Sequence, residues 1–207
     1  MKIITISREF GSGGRELGKR LADVMGFDYY DREIIAAIAH NKGMDEGYVE
    51  KALEHHGWQN VPLTFRHSFA GAATMQSGRM DLLLEQKRVI EEIAKAGRDC
   101  VIVGRNADVL LAEYRPFNIF VCADIEAKIK RCMERADENE HLSRKELERM
   151  IRGIDKGRAQ TRDIITGSRW GMSGNYHITI NTTDWLIRDL TQAVADFADC
   201  WFGRAEQ

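Results

Sequence analysis

Short apolar runs alternate along the chain with longer segments in which apolar residues recur every three or four positions. The short runs have the length and composition of buried strands and lie at 3–6, 100–103, 119–122 and 178–180, with a brief extended piece at 27–31. The segments with helical spacing lie at 15–25, 32–40, 81–95, 124–137, 143–165 and 184–202. Strands that alternate with helices predict a three-layer, doubly wound α/β fold, in which helices cover both faces of a parallel sheet.

The stretch 41–77 has no clear period and predicts only short helices and loops. Its histidines, His55, His56 and His67, lack the spacing of metal ligands, so we do not expect a metal site there. No repeat, low-complexity segment or linker divides the chain. We therefore expect a single domain over 1–207.

Composition and charge exclude several classes of protein. Hydrophobic residues make up 43% of the chain and charged residues 30%, which rules out a disordered or collagen-like chain. Lys and Arg total 30 against 32 Asp and Glu, a formal net charge of -2, so nucleic acid is not an expected partner. No apolar run has the length of a membrane span, and charge comes too early for a secretory signal. The four cysteines lack C-x-x-C spacing, so we expect reduced thiols in a cytoplasmic protein.

A glycine-rich turn, Ser7–Glu16, joins the first predicted strand to the first predicted helix. Its glycines let the backbone curl so that successive N–H groups point inward, and the following helix adds its positive end. In open α/β sheets, ligands bind beyond the carboxyl ends of the strands, where this turn lies. The residues predicted to bind nucleotide phosphates are Arg8, Gly11, Ser12, Gly13, Gly14 and Arg15.

Two phosphate-binding patterns compete for this turn. The dinucleotide pattern G-x-G-x-x-G would begin at Gly11, but its third glycine position holds Glu16, whose side chain obstructs close helix–strand packing. Asp31 lies near the position of a ribose-binding acid, so an NAD(P)-dependent oxidoreductase stays as a less favoured alternative. A structural turn without a ligand is a further alternative.

The mononucleotide pattern G-x-x-x-x-G-K-[ST] fits the glycine core but not its flanks. When the two are aligned on Gly-Ser-Gly, the first glycine position holds Arg8, the lysine position Gly14 and the hydroxyl position Arg15. The turn thus lacks the usual cation and the usual magnesium ligand. Either arginine could supply positive charge to the phosphates instead.

Several separated blocks of the chain resemble the cytidylate kinase-like proteins. The blocks are Ile4–Gly18, Tyr29–Ile35, Val101–Leu110, Ile154–Arg158, Thr166–Gly171 and Tyr176–Asn181. The resemblance implies a P-loop, nucleoside-monophosphate-kinase-like fold, in which the core comprises 1–31, 98–135 and 173–207, an acceptor-binding insert 32–97, and a lid 136–172. It also implies ATP with Mg²⁺ as phosphoryl donor and a small nucleotide acceptor such as CMP or dCMP.

The expected acceptor residues are Asp31, Arg105 and Asp108. Asp31 follows the second extended segment, where the resemblance places an acid beside the acceptor, and Arg105 follows the strand 100–103. An arginine there could hold a monophosphate with paired hydrogen bonds. The sequence has Asn106 where cytidylate kinases have an acid, and Asp108 is the acid nearest in sequence to compensate. The alternatives are an N-terminal helix cap for Asp31 and a loop salt bridge for Arg105.

The expected lid is a helix that begins with the capping-box pattern Ser143–Glu146. Its candidate lid residues are Arg152, Lys156, Arg158 and Arg162. The resemblance implies that Arg158 and Arg162 close over the phosphates, and with Arg15 they are the expected catalytic residues. An ordinary solvated helix face is the alternative for these charges.

Three questions stay open at this level. Magnesium could be held by the nucleotide phosphates, by Ser12, or through water by Asp31 or Glu9. The chain could form a homodimer or act alone. Because the P-loop lysine is missing, a nucleotide-binding regulatory module without efficient turnover is the alternative to a kinase.

Overall fold

Five parallel strands form the centre of the protein in the computed structural model, which describes residues 1–54, 69–136 and 142–205. The strands are β1 (Ile3–Arg8), β2 (Asp28–Tyr30), β3 (Cys100–Val103), β4 (Phe117–Cys122) and β5 (Ile178–Asn181), in the sheet order β2-β3-β1-β4-β5. Every neighbouring pair is parallel. The predicted α/β class with a parallel sheet is confirmed, and the extended piece at 27–31 forms the edge strand β2.

Eight α-helices of the described ranges surround this sheet. They are α1 (Gly14–Met25), α2 (Arg32–Lys42), α3 (Glu46–Glu54), α4 (Phe69–Lys95), α5 (Ala107–Leu110), α6 (Ile125–Met133), α7 (Arg144–Thr166) and α8 (Ile187–Ala205). Every one of these helices is too short or too polar to span a bilayer. The capping box predicted for α7 is present, with the Ser143 hydroxyl and the Glu146 carboxylate exchanging hydrogen bonds with each other's backbone.

Helix α4 begins at Phe69, whereas the sequence predicted a helix only from residue 81. The residues between 69 and 80 are mostly small or polar, so they lack the apolar period on which that prediction depended. Helix α3 also lies inside the stretch without a clear period. The histidines His55, His56 and His67 lie outside the described residues.

The alternation of side chains along the central strand divides the core into two layers. Ile4 and Ile6 of β1 pack with α1 and α8 on one face of the sheet, whereas Ile3 packs with α2 and α4 on the other. All six residues of β1 are buried, as expected for a strand covered on both faces. Its carboxyl end, at Arg8, therefore opens between the two helical layers, where the glycine turn begins.

A histidine packed against a tryptophan at the sheet edge predicts a pH-dependent stability. The His177 ring lies 3.9 Å from the Trp201 ring, its Nδ1 accepts a hydrogen bond from Asn118 N–H, and burial lowers its pKa from the ordinary 6.5. As pH falls through 6.5, the unfolded chain takes up a proton that the folded protein does not. The free energy of unfolding should therefore decrease, by a small amount because the imidazole is largely exposed to solvent.

Urea unfolding of the wild type and of His177→Phe between pH 7.5 and 5.5 tests this expectation. The variant is expected to be less stable throughout and to lose part of the decrease at low pH. An identical pH slope in the two proteins would assign the decrease to other groups.

Candidate functional site

The glycine turn after β1 has the geometry of an anion cradle. Gly11 and Gly13 have φ of +75° and +83°, in the left-handed region that favours glycine. Gly13 also occupies the cap position of α1, and no side chain caps that helix. The N–H groups in the first turn of α1 therefore face the glycine turn, and no capping side chain accepts a hydrogen bond from them.

Side chains from α6 and from the segment after β5 hold the carbonyl groups of this turn. Arg131 donates to Gly11 O (2.7 Å), and the Thr182 hydroxyl donates to Ser12 O (2.6 Å). Since the C=O and N–H of a trans peptide point in opposite directions, these bonds turn the amides that follow them away from Arg131 and Thr182. Sequence reasoning missed both residues because each lies more than a hundred positions from the turn.

The arginine at the end of β1 explains why the turn has no lysine. A Cβ at Gly14, the lysine position of the mononucleotide pattern, would lie 2.5 Å from Arg8 Cβ. The Arg8 side chain continues to Gly104, where any Cβ would overlap its guanidinium. In the common pattern the first position is a glycine and the seventh a lysine. Here the first position is Arg8 and the seventh is Gly14, so the small residue and the cation have exchanged places.

Asp31 binds the two arginines that flank the turn. Its carboxylate lies 2.5 Å from Arg15 Nε and 3.5 Å from Arg8 Nη2, and its side chain is only 4% exposed. Asp31 occupies the cap position of α2 but makes no side-chain cap hydrogen bond, so the simple helix-cap alternative is wrong. We interpret Asp31 as the residue that positions Arg8. The Arg15 side chain is 48% exposed and lies on the solvent side of Asp31.

The loop after β3 presents Arg105 in an unusual backbone conformation. Gly104, Arg105 and Asn106 have φ of +77°, +56° and +54°, and the left-handed region costs a non-glycine residue roughly 1–2 kcal/mol. Gln86 of α4 is buried and donates to Arg105 O (3.0 Å), which helps to hold this conformation. Strain of this kind is typical of functional sites, and Gln86 is a supporting residue that the sequence analysis missed.

Substitution of Gly104 should test how tightly Arg8 is held. Gly104→Ala is expected to lower the free energy of unfolding by about 1–3 kcal/mol, because the methyl group would displace a buried guanidinium. Gly153→Ala is the control, since a Cβ there meets nothing within 4 Å in helix α7, and it should add up to about 1 kcal/mol. Both values come from denaturant unfolding, and equal stability of Gly104→Ala and wild type would contradict the described position of Arg8.

These elements enclose one cavity at the carboxyl ends of β1 and β3. It has a volume of about 450 Å³ including the space open to solvent, and three of its lining residues are Arg8, Arg105 and Arg158. Gln86 and Trp170 also line it. Within the described residues, the lining contains no carboxylate. The cavity is therefore suited to a small anion.

Helix α7 contributes Arg158 to this cavity. Arg158 Nη1 donates to Arg8 O (3.0 Å), and its guanidinium lies over the Phe10 ring. Asp155 Oδ1 lies 3.6 Å from Arg158 Nη1. The predicted lid arginine thus lies where the end of β1, the turn and the cavity meet.

Arg162 and Asp108 bind each other instead of a ligand. Arg162 Nη1 lies 2.5 Å from Asp108 Oδ2, and the two side chains are 3% and 2% exposed. Neither residue lines the cavity. We therefore correct both expectations, because a guanidinium neutralised by a buried carboxylate supports the fold and does not close over phosphates.

The other two lid candidates also lie away from the cavity. Arg152 is exposed and forms an ion pair with Glu148 on its own helix at 2.7 Å, and Lys156 is exposed too. Their charges belong to an ordinary solvated helix face, which was the alternative interpretation. Of the four predicted lid residues, only Arg158 lines the cavity.

A buried lysine under the turn escaped the sequence analysis. Lys128 of α6 is 7% exposed, and its Nζ lies 2.7 Å from Glu9 Oε2 and 3.1 Å from Asp155 Oδ2. Burial raises the pKa of Asp155, whereas Phe10 N–H and Lys128 act against that rise. The sequence did contain an indication that Lys128 is buried, because it lies on the same helix face as the apolar residues Ile125 and Cys132.

The described residues do not build a resident magnesium site. They contain no group of three or more carboxylate, imidazole or thiol side chains that could hold a metal. Each expected ligand also has another partner: Ser12 Oγ donates to Glu9 O, Glu9 binds Lys128, and Asp31 binds two arginines. Magnesium that enters with a nucleotide needs few protein ligands, because it keeps several waters and is bound largely through the substrate phosphates.

The parallel sheet and the glycine turn after its central strand define a P-loop kinase-like fold. The chain belongs to the cytidylate kinase-like family, whose model matches residues 3–184. Family membership supports nucleotide binding and phosphoryl transfer as the general class of chemistry. The reported matches give no support to the NAD(P)-dependent alternative.

Solved structures share this fold over nearly the whole chain. An uncharacterized protein from Eubacterium ventriosum is 25% identical, with a TM-score of 0.70, and the match covers 96% of this chain and 99% of that one. A shikimate kinase from Bacteroides thetaiotaomicron is 14% identical, with a TM-score of 0.56 and coverage of 96% and 98%. A sugar kinase from Janibacter sp. is 12% identical, with a TM-score of 0.56 and coverage of 96% and 95%. No curated protein matches the chain.

Proposed function

We propose that the protein transfers a phosphoryl group from magnesium-bound ATP to a small phosphorylated acceptor, with CMP and dCMP as the first candidates. The observation that carries this proposal is the cavity lined by Arg8, Arg105 and Arg158 beside the glycine turn. Family membership supports the kinase class and suggests CMP or dCMP as the acceptor, whereas the cavity supports an acceptor that carries a phosphate.

Arginine is the side chain best suited to a phosphate monoester. Its planar fork donates two parallel hydrogen bonds to phosphate oxygens and stays charged at every relevant pH. Arg105 is held by its left-handed loop and by Gln86, and Arg8 by Asp31. Because Asp31 holds it, the Arg8 guanidinium loses little freedom when an acceptor binds, and the fixed backbone of Arg105 limits where its side chain can reach.

The three arginines that line the cavity favour a phosphate acceptor over a hydroxyl acceptor. A hydroxyl group must lose its proton during transfer, and kinases that use one supply a base for it. A monophosphate dianion has no proton to lose: its oxygen bonds to the γ-phosphorus as the bond to ADP breaks. Shikimate and sugars, for which two of the structural neighbours are named, accept the phosphoryl group on a hydroxyl and therefore provide the contrast to a phosphate acceptor.

The remaining requirements of phosphoryl transfer are alignment, positive charge and exclusion of water. We assign the ATP phosphates to the main chain of the glycine turn and the acceptor to the cavity. Arg8 and Arg158 then lie between the two, because Arg158 donates to the Arg8 carbonyl at the entrance to the turn. In this position they stabilise the charge on the transferred group.

A coupled assay of ADP formation tests the proposal. Purified protein is given ATP and magnesium with CMP, dCMP, UMP, AMP, shikimate or glucose in turn. We expect ADP formation that depends on a pyrimidine monophosphate and is absent with the hydroxyl acceptors. ATP binding without turnover on any acceptor would instead favour the nucleotide-binding regulatory module, the alternative raised by the missing P-loop lysine.

A further inference from the structure

The glycine turn already binds an anion that belongs to its own chain. The Asp155 carboxylate of α7 accepts a hydrogen bond from Phe10 N–H at 2.7 Å. The same carboxylate lies 3.1 Å from Lys128 Nζ and 3.6 Å from Arg158 Nη1. A main-chain amide of the turn, an ammonium and a guanidinium therefore converge on one anion. Groups of this kind are the ones that bind phosphate oxygens.

Lys128 lies directly against the turn. A Cβ at Gly11 would approach Lys128 Cβ to 3.1 Å, and the lysine side chain is only 8% exposed. A buried ammonium requires negative partners, and Lys128 has two of them, Glu9 on the turn and Asp155 on α7. Glu9 accepts a further hydrogen bond from the Ala123 amide, whereas Asp155 accepts one from Phe10 N–H of the glycine turn itself. Asp155 is therefore the carboxylate whose contacts a phosphate bound in the turn would take over.

We propose that the Asp155 carboxylate holds the place of a polyphosphate oxygen, and that ATP binds by displacing it from Phe10 N–H and Lys128. Lys128 then supplies the ammonium that the turn lacks at Gly14. The exchange replaces one anion by another around the same donors, so no buried cation is left without a partner. Only the naming of ATP rests on the proposed function, since any polyphosphate can make the same exchange.

Calorimetric titration with inorganic tripolyphosphate tests the exchange without a nucleoside or an acceptor. Asp155→Asn removes the competing charge with little change of shape. We expect it to bind tripolyphosphate at least about tenfold more tightly than the wild type, the effect of roughly one charge-assisted hydrogen bond. Asp163→Asn is the matched control, because Asp163 is an exposed acid on the same helix and its loss changes the net charge equally.

Two results would overturn the proposal. One is an affinity of Asp155→Asn no greater than that of the wild type. The other is an equal gain in Asp163→Asn, since that would reflect net charge alone. The double variant Asp155→Asn/Lys128→Met is expected to lose the gain, and retention of the full gain would exclude Lys128 as the phosphate-binding cation.

A measurement on the wild type keeps the proposal testable if the variants fold poorly. The Phe10 amide resonance should shift when tripolyphosphate saturates the protein, because its acceptor changes from carboxylate to phosphate. An unchanged Phe10 resonance at saturation would contradict the exchange. The binding result and the kinase assay can be told apart. Tighter tripolyphosphate binding by Asp155→Asn, together with no acceptor-dependent ADP formation by the wild type, would support the exchange and refute the proposed function.

Discussion

Arg162→Met is expected to lower the free energy of unfolding by about 3–5 kcal/mol, because it leaves the Asp108 carboxylate buried without its cation. Asp108 Oδ1 already has no hydrogen-bond partner within the described part of the chain, so the carboxylate has little other compensation. The double variant Arg162→Met/Asp108→Asn removes both charges and should recover part of this loss. Denaturant unfolding of the three proteins measures the effect.

The control for this prediction is Arg152→Met on the same helix. Its guanidinium is exposed, so its ion pair with Glu148 should be worth at most about 1 kcal/mol. If Arg162→Met were as stable as Arg152→Met but lost acceptor-dependent turnover, Arg162 would be a ligand of the phosphates, as the sequence first suggested, and the ion pair would be incidental.

Arg8→Met is expected to reduce acceptor-dependent turnover by about 100- to 1,000-fold, the loss typical for removal of one preorganised donor to a transition-state charge. Arg8 lies beside the turn, against Gly14, and also lines the arginine-lined cavity. Steady-state kinetics with saturating ATP should show the loss mainly in kcat. A variant that kept wild-type kcat with a higher KM for the acceptor would limit Arg8 to binding.

Paired substitutions separate the position of the Arg8 side chain from its charge. Gly14→Lys alone should destabilise the protein, because the new Cβ would lie 2.5 Å from Arg8 Cβ. Arg8→Gly/Gly14→Lys restores the first glycine and the lysine of the common P-loop pattern and removes that clash, so it should be more stable than Gly14→Lys. Equal stability of the single and double variants would contradict the exchange of positions between Arg8 and Gly14.

The strands and the start of the lid helix were accessible from sequence because each depends on local pattern. Strand β1 is a run of β-branched residues, and Ser143 and Glu146 lie at the spacing of a capping box. The prediction for helix α4 began twelve residues too late, because those twelve residues lack an apolar period. Local pattern also placed the glycine turn and Arg105 correctly at the ends of strands.

The contacts that decide roles in the site join residues that are distant in the chain. Nothing near Arg162 in sequence identifies Asp108, which lies 54 positions away, as its partner. The same holds for Lys128 and Glu9. A helical face of arginines can bind phosphates or buried carboxylates equally well, and only the folded chain determines which of them meets an acid.

The proposed binding site of the phosphoryl acceptor is the arginine-lined cavity. This assignment is tested most directly by transfer of label from γ-labelled ATP to CMP, with Arg105→Met beside the exposed-site control Arg115→Met. We predict labelled CDP from the wild type and from Arg115→Met, and at most a trace from Arg105→Met although it still binds ATP. Equal labelling of CDP by all three proteins, or label released only to water, would contradict this assignment.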